Sequence, residues 1–598
     1  MSDYIIGIDL GTTNSTLAYA KMDKTEPSIE QFSISQVTSG AQPESLSLPS
    51  FLYFPLKEEL ATIRNKLPWN STEMHCVGLF ARERGAELPS RLISSAKSWL
   101  CHSGINRRDK LLPLHAEENT AKMSPLEANA AVLEHLREAW NSQMPLAAFK
   151  EQKFLITVPA SFDPSARQLV LEAAEKAGYP EIILLEEPQA AFYAWLHAHK
   201  DSWRKQLKVN DKVLVIDIGG GTTDFSLISV QDEQGELSLK REAVGSHLLL
   251  GGDNIDLALA YLAKSKLEEQ GHTIDEWQLQ SLVHMCRDAK ETLMGSQAPT
   301  SVDITIMGRS SRLIGGTLKT TLSKEEAHRL ILDGFVPLSQ PHERSTVEKR
   351  AGLQQIGLPY AQDARISHQL AKFLSMTGET DQAGMEHFVL PNAVLFNGGT
   401  LKAEALRKRL MDLLNLWAHA LGKPSVHELP GADYDFAVSQ GAVNYGLARA
   451  GKAIRIKGGT SRSYYIGVEE SAPAVPGMPV PLKAVCVVPF GMEEGSELAI
   501  DHQEFSLVVG EQATFRFFSH GTQHLSNGAL PVAGSVIKNW KQELTELHPI
   551  ETRLESGAQD GKTIQVKLKT RVTELGVLEL WCVAPDDRKW KLEFDLRA

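Results

Sequence analysis

Ile5–Ser15 reads I-I-G-I-D-L-G-T-T-N-S, and Leu214–Asp224 reads L-V-I-D-I-G-G-G-T-T-D. In each, a β-branched apolar run reaches an aspartate and then a glycine turn rich in hydroxyls. A second apolar run follows, Thr16–Ala20 in the first copy and Phe225–Val230 in the second. Runs of this kind bounded by glycine predict strand, turn and strand. Two copies predict two similar subdomains facing each other across a cleft. The turn chemistry suits phosphate. Glycine lets backbone N–H groups approach anionic oxygens with no Cβ in the way. Thr12, Thr13, Thr222 and Thr223 add hydroxyl donors. Asp9 and Asp217 would repel a bare phosphate, so they call for a cation between. Mg²⁺ suits this place, because it keeps several waters and accepts carboxylates in its outer shell. A single copy would read equally well as an ordinary hairpin; the shared Asp-x-Gly frame of two copies favours phosphate.

Outward from these hairpins, short apolar runs (Phe154–Val158, Val213–Ile218, Ala393–Phe396) alternate with long amphipathic stretches up to about residue 450. Helices are predicted at Ser165–Ala177, Asn254–Glu269, Gln278–Leu293 and Ala403–Leu421. In the first, Ala166, Leu169, Val170, Ala173 and Ala177 share a face. This is an α/β pattern. After Gly458-Gly459 the period changes to two: Ile564, Val566 and Leu568 share one face, as do Leu592, Phe594 and Leu596. Phe505–Val509 and Thr514–Phe518 also read as strands. The expected fold class is therefore α/β followed by an all-β sandwich. The domain reading is 1–452 for the nucleotide unit, 453–462 for a linker and 463–598 for the β domain. Segments 34–75 and 338–388 lack strong periodicity and read as loops or insertions. Gly557–Thr563 (G-A-Q-D-G-K-T) is one residue short of a P-loop and sits in the β-rich part, so it reads as a surface turn.

The 598 residues are 42% hydrophobic and 23% charged, enough for more than one core. With 62 basic and 74 acidic residues the net charge is −12. That balance offers no general attraction to nucleic acid or anionic lipid. No apolar run is long enough to span a bilayer, and the N-terminus has no leader pattern. The five cysteines are scattered and form no C-x-x-C pair, against a disulfide framework or thiolate zinc site. His197 and His199 read as surface histidines. A cytoplasmic location is the simplest expectation.

The motifs also carry a family resemblance. Gly7–Ser15 resembles the first phosphate motif of the 70-kDa heat-shock (DnaK-type) chaperones, and Asp217–Asp224 the second. Ile156–Arg167 (I-T-V-P-A-S-F-D-P-S-A-R) resembles the connecting motif, Leu185–Ala191 (L-E-E-P-Q-A-A) the element after it, Gly251–Asp256 the later glycine element, and Asn397–Thr400 (N-G-G-T) the adenosine motif. The resemblance implies a two-lobed actin-like ATPase domain that takes ATP or ADP with Mg²⁺. Asp9 and Asp217 would organise the metal. Gly11, Thr12, Thr13, Asn14, Gly219, Gly220, Gly221 and Thr222 would hold phosphates. Lys97 would reach the terminal phosphate, and Glu187 would orient the attacking water with Asp224 on the same face. Gly252, Arg287, Lys290, Glu291, Gly398, Gly399, Thr400 and Lys402 would form the adenosine side. Pro159 and Arg167 would relay nucleotide state.

This chain departs from the family in places. Arg287 stands where the family has an acidic residue, Met294 where it has serine, and Lys402 where it has a base-stacking arginine. Lysine offers no planar guanidinium to stack; weaker nucleotide binding or relaxed base choice is expected. Ala453–Gly459 is basic and poor in leucine, unlike the family linker. The chain ends at Ala598 in a strand pattern, so no helical lid is expected. The leading functional expectation is a slow ATPase of chaperone type whose β domain binds extended polypeptide, with a J-domain co-chaperone and an exchange factor implied as partners. The alternatives are a nucleotide-gated scaffold for one dedicated partner, and a small-molecule kinase of the same fold.

Overall fold

The computed structural model describes residues 3–23, 27–38, 45–63, 66–69, 74–102, 104–114, 116, 120–233, 236–245, 248–308, 316–345, 358, 360–376, 388–452, 460, 462–470, 480–492, 496–520, 525, 529–547, 549–553, 562–573 and 577–595. The chain divides into two compact units, a larger one of Met1–Leu237 with Glu242–Arg455 and a smaller one of Ile456–Ala598 with Ser238–Arg241. Most of the expected linker, including Ala453–Gly459, lies outside the described residues, as does most of the Gly557–Thr563 turn.

The larger unit contains the same sheet twice. In the first copy, β1 (Tyr4–Asp9), β2 (Asn14–Lys21), β3 (Ile29–Gln31), β4 (Lys153–Val158) and β5 (Ile182–Glu186) lie in the order β3-β2-β1-β4-β5. The second copy has β6 (Lys212–Ile218), β7 (Thr223–Glu233), β8 (Glu236–Val244), β9 (Ala393–Asn397) and β10 (His427–Glu428) in the order β8-β7-β6-β9-β10. β1 pairs antiparallel with β2 and parallel with β4; β6 does the same with β7 and β9. Registers coincide as well. Asp9 stands beside Thr16 and Thr157, and Asp217 beside Asp224 and Asn397. The central strands are nearly continuous in apolar residues, as expected for strands covered on both faces.

The helices of this unit include α1 (Pro125–Gln143), α2 (Pro164–Lys176), α3 (Glu187–His199), α4 (Gly252–Glu269), α5 (Glu276–Met294), α6 (Ile366–Met376), α7 (Glu404–Ala420) and α8 (Ala437–Arg449). Their starts are written locally. Ser124 with Glu127 and Asp275 with Gln278 form capping boxes, and Asp163 accepts from Ala166 N at 2.6 Å.

The two segments read as loops or insertions contain regular elements. Within 338–388, α6 is a helix whose Ile366, Leu370, Ala371 and Leu374 join the core of the second lobe. Their spacing is helical; the aperiodic flanks obscured it. Within 34–75, Leu52–Tyr53 pairs with Cys76–Val77 and Leu92–Ile93, and Val37, Phe51 and Tyr53 share a small core with Phe80.

His135 on α1 is buried, with Nε2 at 2.9 Å from the Ser35 carbonyl and the Trp69 ring edge-on. Burial pushes it down to about 4 from 6.5, against the pull of the Ser35 carbonyl. The unfolded chain would take up this proton near pH 6.5 and the folded chain near 4. Stability present above pH 6.5 is therefore lost as pH falls through that window, on the order of 3 kcal/mol in total. His135→Gln removes this contribution. In urea melts the stability gap between wild type and variant should narrow from pH 7 to pH 4.5; a gap indifferent to pH would contradict the assignment.

The smaller unit is antiparallel. Val536–Ile537, Leu482–Val488, Ser463–Glu469, Phe517–His520 and Thr545–Glu546 form a five-stranded sheet in that order. Glu497–Val509, Lys562–Val572, Val577–Val583 and Lys589–Asp595 form a four-stranded one. Along Lys562–Val572, Val566, Leu568 and Thr570 are buried while Gln565, Lys567 and Lys569 are exposed, the period of two read from the sequence. One apolar cluster joins Tyr464, Ile466 and Val485 of the first sheet to Ile500, Val566, Leu568 and Leu580 of the second.

None of the five cysteines forms a disulfide, and Cys76, Cys286, Cys486 and Cys582 are buried. Among the described residues no helix is long and apolar enough to cross a membrane.

Candidate functional site

Both glycine turns open onto one cavity of about 510 Å³ within the larger unit. Asp9, Gly11, Thr12, Thr13 and Asn14 come to its wall from the β1–β2 hairpin, and Asp217, Gly219, Gly220 and Thr222 from the β6–β7 hairpin. Lys97, Glu187, Arg287, Lys290, Glu291, Gly398, Gly399, Thr400 and Lys402 complete the sequence-predicted set on that wall. The turns approach each other so closely that a Cβ on Gly220 would lie 1.9 Å from Thr13 Oγ1. At Gly398, φ is +91° and a Cβ would fall 2.5 Å from Asp217 Oδ1, so only glycine serves there.

Four expected residues sit elsewhere. Gly221 is in its turn but off the cavity wall, covered by Ser98 and Thr12. Gly252 opens α4, yet its N–H donates to Gly219 O at 3.0 Å and that of Asp253 to Gly220 O at 2.7 Å. These amides brace the second glycine turn instead of facing the cavity. Asp224 is buried one layer behind the wall. Thr223 is fully buried and donates to Leu250 O at 2.6 Å, which removes it from the candidate phosphate donors.

At the cavity floor, Lys97 forms a buried ion pair with Glu187, the first residue of α3. Asp9 accepts from Thr157 Oγ1 at 3.3 Å, and Asp217 from Asn397 Nδ2 at 2.6 Å. Acid groups outnumber cations here. Burial, then Glu187, pushes Asp9 up to about 7; burial pushes Asp224 up to about 6. Asp217 and Glu187 are raised by burial as well. Burial disfavours charge on Lys97, but Glu187 and Asp9 outweigh it and raise the ammonium. Low dielectric makes these interactions strong in both directions. Asp224 Oδ1 is buried without a hydrogen-bond partner. Such a floor is short of positive charge, which fits a divalent cation. Among the described residues no three His, Cys, Asp or Glu side chains converge as a ligand cage. A cation here would therefore keep water between itself and Asp9 or Asp217, as Mg²⁺ does readily.

On the opposite wall, Arg287 is held by Asp253 at 2.7 Å and Asp256 at 3.0 Å, with the Phe51 ring 5.5 Å away. Lys290 pairs with Asp256 at 2.6 Å. Lys402 pairs with Asp435 at the surface. Asp253 also accepts from Ser95 Oγ at 2.9 Å, two residues before Lys97, where Ser95 adopts a left-handed φ of 53°. Asp253 and Asp256 belong to the G-G-D-N-I-D stretch; Ser95, Arg82 and Tyr434, all in or beside the cavity, carried no local signal. Away from the cavity, Arg167 on α2 is buried, donating to Ala160 O at 3.1 Å and Glu186 Oε1 at 3.3 Å. Glu186 immediately precedes Glu187.

Comparison with known families agrees with this architecture. The model described as Hsp70 protein matches residues 5–355. That span holds both glycine turns, Lys97, Glu187 and the Arg287 helix. Since it covers more than half of the 598 residues, the chain belongs to the Hsp70 family of ATP-dependent chaperones, which are built on an actin-like ATPase fold.

Proposed function

We propose that the larger unit binds ATP with Mg²⁺ across the two glycine turns and hydrolyses it slowly to ADP and phosphate, and that the smaller unit, read as a β-sandwich, binds extended polypeptide under nucleotide control. The observation that carries this reading is the buried Lys97–Glu187 pair set among Asp9, Asp217 and Asp224 beneath both turns. Phosphoryl transfer to water asks mainly for charge neutralisation and an aligned nucleophile. Amides of the turns and the hydroxyls of Thr12, Thr13 and Thr222 hold the polyphosphate. Lys97 supplies a fixed positive charge at its end. Glu187, raised in pKa by burial, accepts a hydrogen bond from the attacking water and can take its proton, while Asp224, also raised, acts from behind the wall through its charge. Mg²⁺ held through water by Asp9 and Asp217 would neutralise polyphosphate charge. Arg167, tied to Glu186, supports the reading of a relay between Glu187 and the chain beyond this unit.

For the smaller unit, the support is its edge. Val536 on the short outer strand Val536–Ile537 is exposed, as are Leu530 and Val532 just before it. Among the described residues no strand pairs with the outer side of Val536–Ile537, and such an edge with apolar side chains suits strand addition by an extended peptide. The test is steady-state phosphate release by the full chain with and without a reduced, unfolded protein. Stimulation of several-fold is expected. Basal turnover indifferent to every unfolded protein, with ATP-dependent capture of a single folded partner, would favour the scaffold alternative; phosphate transferred to a metabolite would favour the kinase.

A further inference from the structure

The cavity wall changes character along α5. Arg287 pairs with Asp253, but Met294 lies two turns further on, roughly 10 Å along the axis. There the wall is made by Met294, Ile331 and Leu406, all buried, and by the half-buried Tyr434. The Arg407 guanidinium lies over the Tyr434 ring, 4.9 Å from its centre. Arg407 is itself fixed: Nη1 donates to Leu401 O at 2.6 Å and to Lys402 O at 3.1 Å. Tyr434 lines the cavity and Arg407 does not, so Tyr434 joins a fixed cation to the cavity wall. A cation–π contact of this kind holds a ring in place at small entropic cost. Lys402 is occupied by Asp435, and an ammonium has no flat face to offer a base.

We propose that Tyr434 is the base-stacking residue of the nucleotide site, and that its ring against the Met294–Ile331–Leu406 slot, not Lys402, gives the site a preference for purine over pyrimidine nucleotides. The inference rests on the cleft being a nucleotide site. A purine overlaps a tyrosine ring over more area than a pyrimidine does, and stacking on an aromatic side chain contributes enough to set affinity.

The test is calorimetric titration of the full chain with Mg-ADP, Mg-CDP and Mg-triphosphate, for wild type, Tyr434→Leu, Tyr434→Phe and Lys402→Ala. Wild type should bind ADP more tightly than CDP. Tyr434→Leu should weaken ADP about tenfold, leave inorganic triphosphate unchanged and erase the purine preference. Tyr434→Phe and Lys402→Ala should stay within about twofold of wild type. Unchanged ADP affinity in Tyr434→Leu would overturn the inference, and so would a larger loss in Lys402→Ala. Should Tyr434→Leu bind neither ADP nor triphosphate, it has lost its fold; Tyr434→Trp then decides, keeping ADP affinity if the ring stacks and losing it if the ring only packs. Wild type that binds triphosphate but gains nothing from the base sinks the inference and spares the phosphate site. Wild type that binds neither removes the nucleotide reading itself.

Discussion

Lys97→Ala is expected to slow ATP hydrolysis by about 10²–10³-fold, the usual effect of deleting a positioned charge that acts on the transition state, while Mg-ADP binding changes only a few-fold. Lys97 is 4% exposed and sits against Glu187 at the floor. Its ammonium is raised by Glu187 and Asp9, so it stays charged at any physiological pH. Removing it has a second consequence. Glu187 loses the cation that opposes its burial and its pKa rises further, which leaves more of it protonated and, in its proposed role, less able to orient water. The two residues thus act as a unit. Glu187→Gln should cost about as much alone, and the double variant little more than either single one. Single-turnover phosphate release measures the rate, and calorimetry the binding. Loss of binding along with turnover would place Lys97 among the ground-state contacts; an unchanged rate would remove it from the site.

Asp217→Asn should make the nucleotide-free protein more stable and the enzyme much slower. Burial, followed by Glu187, pushes the Asp217 carboxyl well above the ordinary carboxylate range. A carboxyl raised in the folded state is stabilising when protonated. Its ionisation detracts increasingly from folding as pH climbs from about 4 toward the folded pKa. Asparagine removes that cost and can still accept from Asn397, whose Nδ2 is 2.6 Å from Asp217 Oδ2. The stability gain should be about 1 kcal/mol near neutral pH and smaller at pH 5. Turnover should fall about 10²-fold, because the carboxylate that would face the metal's water shell is gone. Thermal melts in EDTA at pH 5 and pH 7.5 read the first effect. A variant less stable than wild type at both values would show that Asp217 is structural, not electrostatically strained.

What the sequence made legible follows from how local each signal is. The Asp9 and Asp217 hairpins could be read because β-branched runs, aspartate, glycine and threonine specify strand and turn within a dozen residues. Coincidence of the β1-β2-β4 and β6-β7-β9 registers is the structural form of that internal repeat. Lys97 had no such signal; A-K-S-W is an ordinary helical tetrapeptide, and only its place among ordered motifs marked it. Arg287 was legible as a substitution, but its capture by Asp253 and Asp256 depends on α4 packing against α5, which no short window encodes. Thr223 was misread for a similar reason. Its turn neighbours face the cavity, while its own side chain points to Leu250, an alternation set by the start of β7. The helix α6 was missed though Ile366, Leu370, Ala371 and Leu374 carried the period, because aperiodic residues surround it. Tyr434 lies in the run Asp433-Tyr434-Asp435, which reads as a solvated turn until α7 brings Arg407 over its ring.

The central claim is that two glycine turns and a carboxylate-rich floor bind a nucleotide polyphosphate together with a divalent cation. Titrating the full chain with ADP in the presence of Mg²⁺, and again in excess EDTA, tests this most directly. A saturable heat at one nucleotide per chain that weakens at least tenfold without the metal is the predicted result. No heat in either condition, or binding indifferent to Mg²⁺, would contradict it.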